Sequence, residues 1–302
     1  MSNGEGLDPR SPGRLGMLAC ILEASAPKAG NVHRCADFDD VTYVDYLLSA
    51  AAIAGPLDRA REWGVGRTVL ECVRATREVA RTNTNLGMIF LFAPLAVGTA
   101  AGESLESGVA RVLGGLTIDD TRAVYEAIRL ARPGGLGRVD RHDVCADPEI
   151  DLRAAMGEAA ERDLVAAQYV NSYEHVFKIV LPSLRRQLRL GRALEAGIVG
   201  CQIEVMARLP DSLIARKRGP EVAAEASRRA AGLLASGWPD TPASAARFAE
   251  FDDWLRADGH ARNPGTIADL IAAALYAGLY DGTIDLRQAA WSERGGLGGR
   301  RQ

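Results

Sequence analysis

Arg81-Thr82-Asn83-Thr84-Asn85 runs straight into Leu86-Gly87-Met88-Ile89-Phe90-Leu91-Phe92. Hydroxyls and neutral amides gathered ahead of an apolar segment mark the start of a buried helix, because such side chains accept hydrogen bonds from the free N–H groups of a first turn. The uncharged run covers residues 86–102 and contains Pro94 and three glycines. A membrane span needs about 20 strongly apolar residues, so a kinked core helix is expected instead. One polar residue suffices as a cap. Three together predict a site where backbone N–H groups and the positive end of the helix dipole receive an anion or a sugar.

Helical periodicity extends in both directions from that point. Leu15, Leu18 and Leu22 share one face of a helix that Pro27 ends, and Tyr43, Tyr46, Leu47 and Ala50 continue the pattern over 42–54 until Gly55-Pro56. Val69, Cys72, Val73, Thr76 and Val79 line one side of 68–81. Further helices are expected over 118–130, 152–170, 173–190, 193–209, 220–234, 244–257 and 267–280, bounded by caps and by Pro or Gly. No alternation of period two is bounded by turn signals. The class is therefore all-α, a single globular bundle of about ten helices with a central nucleotide or phosphate pocket. Residues 1–12 are expected to be a disordered N-terminal tail, 13–285 the all-α domain that carries the site, and 286–302 a flexible C-terminal tail. The connection 132–148 carries Gly134-Gly135-Leu136-Gly137-Arg138, a candidate lid or phosphate loop, although no strand precedes it as a phosphate-binding loop requires.

Composition narrows the partners. A net charge of −3 over 302 residues gives no electrostatic reason to expect nucleic acid or an anionic membrane. Cys20, Cys35, Cys72, Cys145 and Cys201 are odd in number and form no Cys-x-x-Cys pair, which predicts reduced thiols and a cytoplasmic setting. The four histidines show no zinc-site spacing. The first twelve residues lack the basic-then-apolar layout of a secretory signal.

Two further polar stretches precede helices, Pro27-Lys28-Ala29-Gly30-Asn31-Val32-His33-Arg34 and Asn263-Pro264-Gly265-Thr266. With the stretch at 81–85 they predict one shared pocket. Lys28 suits a single phosphate oxygen and Arg34 a bidentate clamp. Asn31 and His33 stand beside Lys28, and His33 is a candidate phosphate donor or base near neutral pH. Asp37 and Asp39 lie two apart before a helix, where they either cap it or hold magnesium through oxygens or water. Asp211-Ser212 follow Pro210 as caps, whereas Arg216 and Arg218 call for a phosphate. Thr266 and Asp269 have the spacing of a capping box, which leaves Asn263 free to reach a ligand.

Asn83-Thr84-Asn85-Leu86-Gly87 resembles the Asn-Thr-His-Lys-Gly motif of the triphosphoribosyl-dephospho-CoA synthase family. Pro27-Lys28-Ala29-Gly30 is similar to that family's Pro-Lys-Pro-Gly, and Asp37-Phe38-Asp39 to its His-Asp-Met region. Asp211-Ser212 with Arg216 and Arg218-Gly219 is similar to its Asp-Thr-Asn…Arg-Gly segment, and Asn263-Pro264-Gly265-Thr266…Asp269 extends the resemblance to about residue 282.

The resemblance implies a helical transferase that moves the ribose of ATP, by its C1, onto the ribose 2′-hydroxyl of dephospho-CoA and releases adenine, with magnesium accompanying ATP. An oxocarbenium-like transition state then calls for carboxylates, a base and cations around the triphosphate. The expected catalytic groups are Asp37, Asp39, Glu71 and Glu174, with Asp37 and Asp39 also the metal candidates. Glu71 pairs with Arg74 on a helix surface in the simpler reading, but the family carries a glutamate in the helix before its Asn-Thr motif. The expected binding residues are Lys28, Asn31, His33, Arg34, Asn83, Thr84, Asn85, Asp211, Arg216, Arg218, Asn263, Thr266 and Asp269. Asn85-Leu86 replaces the family's His-Lys, which puts donor or acceptor in question. A related step with another acceptor, such as a methanopterin-like carrier, and a non-catalytic nucleotide-binding protein are the alternatives.

Overall fold

The computed structural model of the chain describes residues 10–99, 103–132, 144–287 and 291. Among them, fifteen α-helical segments form the molecule. In chain order they are α1 (Pro12–Ser25), α2 (Tyr43–Ala52), α3 (Ala54–Asp58), α4 (Ala60–Val79), α5 (Leu86–Gly98), α6 (Leu105–Gly114), α7 (Ile118–Ala131) and α8 (Leu152–Gly157). After these come α9 (Leu164–Asn171), α10 (Leu181–Arg189), α11 (Leu194–Met206), α12 (Ser212–Arg218), α13 (Pro220–Ala235), α14 (Pro242–Arg256) and α15 (Gly265–Tyr280). A π turn, His175–Val180, leads into α10, and Ala257–His260 is a short extended stretch. The all-α expectation holds.

The number of helices exceeds ten because α6 and α12 form where no helix was expected, α3 continues past the expected stop of the second helix, and a side-chain cap divides 152–170 into α8 and α9. Asp163 accepts from the N–H groups of Val165 and Ala166 and starts α9 separately from α8. The expected stop at Gly55-Pro56 lies inside α3, which follows α2 after Ile53; proline is tolerated in the first turn, where its missing N–H would have no helical partner. Thr42 with Asp45 and Thr117 with Asp120 form capping boxes at the starts of α2 and α7.

Three helices are buried almost all round: α5, α11 and α15. They form the centre, and the amphipathic helices surround them. α15 packs on both α1 and α5, with the Phe92 and Tyr276 rings 5.5 Å apart. α4 lies along α5 and α7. It is bent at Gly64, whose φ of 74° is open to glycine at little cost. Among the described residues no helix is long and apolar enough to cross a membrane.

The loop 132–148, with its glycine-rich candidate phosphate loop, lies largely outside the described residues, as do residues 1–9 of the expected N-terminal tail. Of the expected C-terminal tail, Trp291 is described; its carbonyl accepts from Glu195 N–H at 3.1 Å, and the ring packs on the core.

Candidate active site

The stretch ahead of α5 ties down its own helix and its neighbours. Asn83 Oδ1 accepts from Leu86 N–H at 3.1 Å, so one of the three residues caps α5. Thr84 Oγ1 donates to Ser49 Oγ at 2.7 Å, and Asn85 turns inward between α2 and α4, within 3.5 Å of the Ser49 carbonyl and 3.4 Å of Thr76 Oγ1. Asn85 therefore faces away from the space in front of the helix, whereas Leu86 faces into it.

That space is a cavity of about 1530 Å³ between the starts of α5, α9, α12 and α15 and the ends of α1 and α4. Of the residues expected at the site, Asn31, Asn83, Thr84, Arg216, Asn263, Thr266 and Asp269 line it. All three polar stretches thus open onto one cavity. Asn31 Nδ2 donates to Asn263 Oδ1 at 2.5 Å, and Gln202 Nε2 donates to Asn31 Oδ1 at 2.9 Å, which joins two of the stretches through α11. The fully buried Gln202 also holds Ala29 by its N–H and its carbonyl. Nothing in the periodicity of α11 distinguishes this residue from its apolar neighbours.

Asp211 and Thr266 join helix starts. Asp211 Oδ1 accepts from Leu213 and Ile214 N–H, and its Oδ2 accepts from Ile267 N–H at 2.8 Å, so one carboxylate fastens α12 to α15. Burial raises its pKa to about 6, against the lowering effect of those three N–H groups. Ser212 Oγ donates to Thr266 Oγ1 and accepts from Leu164 N–H, which brings α9 to the same junction. The capping box expected from Thr266 and Asp269 does not form, because α15 has no side-chain cap.

Lys28 is wholly buried and holds Glu23 at 2.8 Å, with its Nζ also donating to the Glu23 carbonyl. It stands behind the cavity wall; its charge is met inside the protein. His33 is buried, and Cys35 N–H donates to its Nδ1 at 3.2 Å. Burial, then Arg256, Lys28 and Arg34, push its pKa down to about 4, so the ring is neutral at neutral pH. Arg34 reaches Glu195 at 2.7 Å and the Ser25 carbonyl at 3.1 Å.

The remaining expected residues lie off the cavity wall. Asp37 and Asp39 are exposed, and Asp37 Oδ1 accepts from Tyr43 N–H at the start of α2. Among the described residues no three His, Cys, Asp or Glu side chains group closely enough to hold a metal ion. Asp37 thus caps the start of α2, and Asp39 stands exposed beside it. Glu71 pairs with Arg74 at 2.9 Å, Arg218 with Asp258 at 2.7 Å, and Glu174 is exposed beside the π turn.

Two residues that sequence reasoning passed over complete the cavity. Glu23, 2% exposed on the last turn of α1, and Tyr46 of α2 line it together with Asp269. Burial raises the pKa of all three; Lys28 partly offsets the rise at Glu23, and the negative charge of Glu23 adds to it at Asp269 and Tyr46. No described residue hydrogen-bonds to the Asp269 carboxylate or the Tyr46 hydroxyl. Around the cavity stand the exposed Arg77, Arg81, Arg132, Arg162 and Arg216, and the half-buried Lys217. Arg216 pairs with Asp163 at 3.3 Å, while Arg77 and Arg162 donate to backbone carbonyls. Charge pairing with a neighbouring lysine made Glu23 legible only in three dimensions.

Residues 9–287 match the family described as ATP:dephospho-CoA triphosphoribosyl transferase. The chain belongs to this family. It is a transferase, and the helical fold expected of the family is the one observed. A crystal structure from Archaeoglobus fulgidus, described as a triphosphoribosyl-dephospho-CoA synthase, is similar over 78% of this chain and 99% of that one, with 24% identity and a TM-score of 0.60. At that identity the likeness speaks for the fold. No curated protein matches the chain.

Proposed function

We propose that this member of the family transfers the triphosphoribosyl group of ATP to the ribose hydroxyl of dephospho-CoA and releases adenine. The observation that carries the reading is the single cavity that Asn31, Asn83 and Asn263 line from three remote segments, together with the buried Glu23, the half-buried Asp269 and exposed arginines. Neutral amides suit sugar hydroxyls, arginines suit a polyphosphate, and carboxylates suit a ribosyl centre that gains positive charge. Its volume also exceeds the roughly 300–1,000 Å³ of an ordinary single-ligand pocket, as two substrates require.

Magnesium would arrive with ATP, and no step is assigned to Asp37 and Asp39. A second acceptor remains a distinct reading on one observation: Leu86 puts an isobutyl group on the cavity wall where the family motif has lysine. Incubating the protein with ATP, magnesium and dephospho-CoA tests the proposal. Stoichiometric adenine and a triphosphoribosylated acceptor are the expected products. Thermal stabilisation by ATP without adenine, whichever ribosyl acceptor is supplied, would instead identify a nucleotide-binding protein without turnover.

A further inference from the structure

We propose that Asp269 is the general base for the incoming hydroxyl, and that Glu23, held by Lys28, is the fixed negative charge beside the ribosyl cation. The inference rests on the reaction proposed above and deepens it. Glu23, Tyr46 and Asp269 come from α1, α2 and α15 and meet on the same cavity wall. They differ in how they are held. The Glu23 carboxylate is fixed by Lys28 at 2.8 Å, which holds it in place and opposes the rise in pKa that its burial causes. Asp269, by contrast, sits past the first turn of α15 without a hydrogen-bond donor, so its oxygens are available to a bound molecule.

The backbone has been shaped around that carboxylate. A Cβ at Gly87 would stand 2.0 Å from Asp269 Oδ2, so only glycine at the start of α5 lets the carboxylate lie where it does. This gives a physical reason for the glycine that ends the Asn83–Gly87 motif. The charges acting on Asp269 are Glu23 from α1, Asp211 and Asp163 from the starts of α12 and α9, and Arg216 from α12. Three of the four are negative, and together with burial they favour the protonated form. A carboxylate with a raised pKa is a stronger base once ionised, which suits removal of a hydroxyl proton near neutral pH.

The acceptor oxygen forms a bond to ribose C1 while its proton passes to Asp269. The bond from C1 to the purine nitrogen breaks with its electron pair going to the purine, which takes a proton from water. Asp269 then returns its proton to solvent. Glu23, paired with Lys28, takes no part in the proton transfer and offsets the charge on C1 as the glycosidic bond lengthens.

The test is Asp269→Asn in the full chain, read by adenine release across pH and by ATP-induced thermal stabilisation. The amide is isosteric, and the carboxylate it replaces makes no hydrogen bond among the described residues, so the fold should persist. Turnover should fall about 10²–10⁴-fold, ATP stabilisation should stay within a few-fold, and the acid limb of the kcat profile should disappear. Asp269→Asn that releases adenine at the wild-type rate, or that loses ATP binding together with turnover, overturns the base assignment while leaving the reaction intact. Wild-type protein that releases no adenine overturns the reaction and this role with it.

Discussion

Tyr169 supplies the hydrogen bond that Pro94 withholds. Proline has no N–H for the carbonyl four residues earlier, and the Tyr169 hydroxyl donates to that carbonyl, Phe90, at 2.7 Å. The Tyr173 hydroxyl donates to the next carbonyl, Leu91, at 2.8 Å. The central helix α5 therefore passes through a proline with its carbonyls satisfied from outside. Tyr169→Phe leaves the Phe90 carbonyl without that donor in the core, and the expected cost is about 1–3 kcal/mol, measured as a shift in the denaturation midpoint with activity per folded molecule unchanged.

Lys28 gives a second test. Lys28→Met removes the partner of a buried carboxylate, which should cost about 3–5 kcal/mol. Burial already raises the pKa of Glu23 and Lys28 lowers it, so the variant's Glu23 should take up a proton more readily. Its deficit relative to wild type should then shrink as pH falls. Denaturation at pH 8 and pH 5 checks this. A lysine that served only to bind phosphate would show no such deficit.

Gly87→Ala should act on turnover more than on folding. The new methyl group competes for space with Asp269 Oδ2, and displacing a reacting group by about 1 Å can cost on the order of 10²-fold in rate. Adenine release should drop by that order while ATP still stabilises the protein. Wild-type turnover in this variant would show that the carboxylate's position is unimportant.

Two groups titrate against each other in mild acid. His33 has its native pKa near 4, below the roughly 6.5 of an unfolded histidine, so the unfolded state binds the proton first and stability falls as pH drops through that window. Asp211 has its native pKa near 6, above the roughly 3.9 of an unfolded aspartate, so its contribution to stability is lost as pH rises toward 6. His33→Asn keeps an acceptor for Cys35 N–H and removes only the first effect. Its stability relative to wild type should therefore improve steadily from pH 6.5 to pH 4, by up to about 2–3 kcal/mol, as denaturation at a series of pH values would show.

The helical class and the shared cavity were legible because they depend on local chemistry: apolar spacing shows the faces, and polar residues ahead of apolar runs show where helices begin. The residues inside the cavity were harder to assign. Lys28 reads as a phosphate ligand until Glu23, five residues earlier, is seen to hold it, and Asp37 reads as a metal ligand until Tyr43 N–H occupies it. Gln202 and Tyr46 look like ordinary members of helical faces. Their roles come from contacts between segments far apart in the chain, including 173 residues between Gln202 and Ala29, and no local pattern encodes such a pairing.

Of the two positions at which the chain departs from its family motif, Leu86 lines the cavity and Asn85 does not, and this separates their consequences. Asn85 is a matter for the seam between α2 and α4, so restoring histidine there alters how the scaffold closes upon itself. Leu86 is the one of the two on the cavity wall. A change of substrate preference carried by this pair would therefore reside in Leu86, and because that residue also packs into the core, Leu86→Lys exchanges a core contact for a charge at the cavity wall.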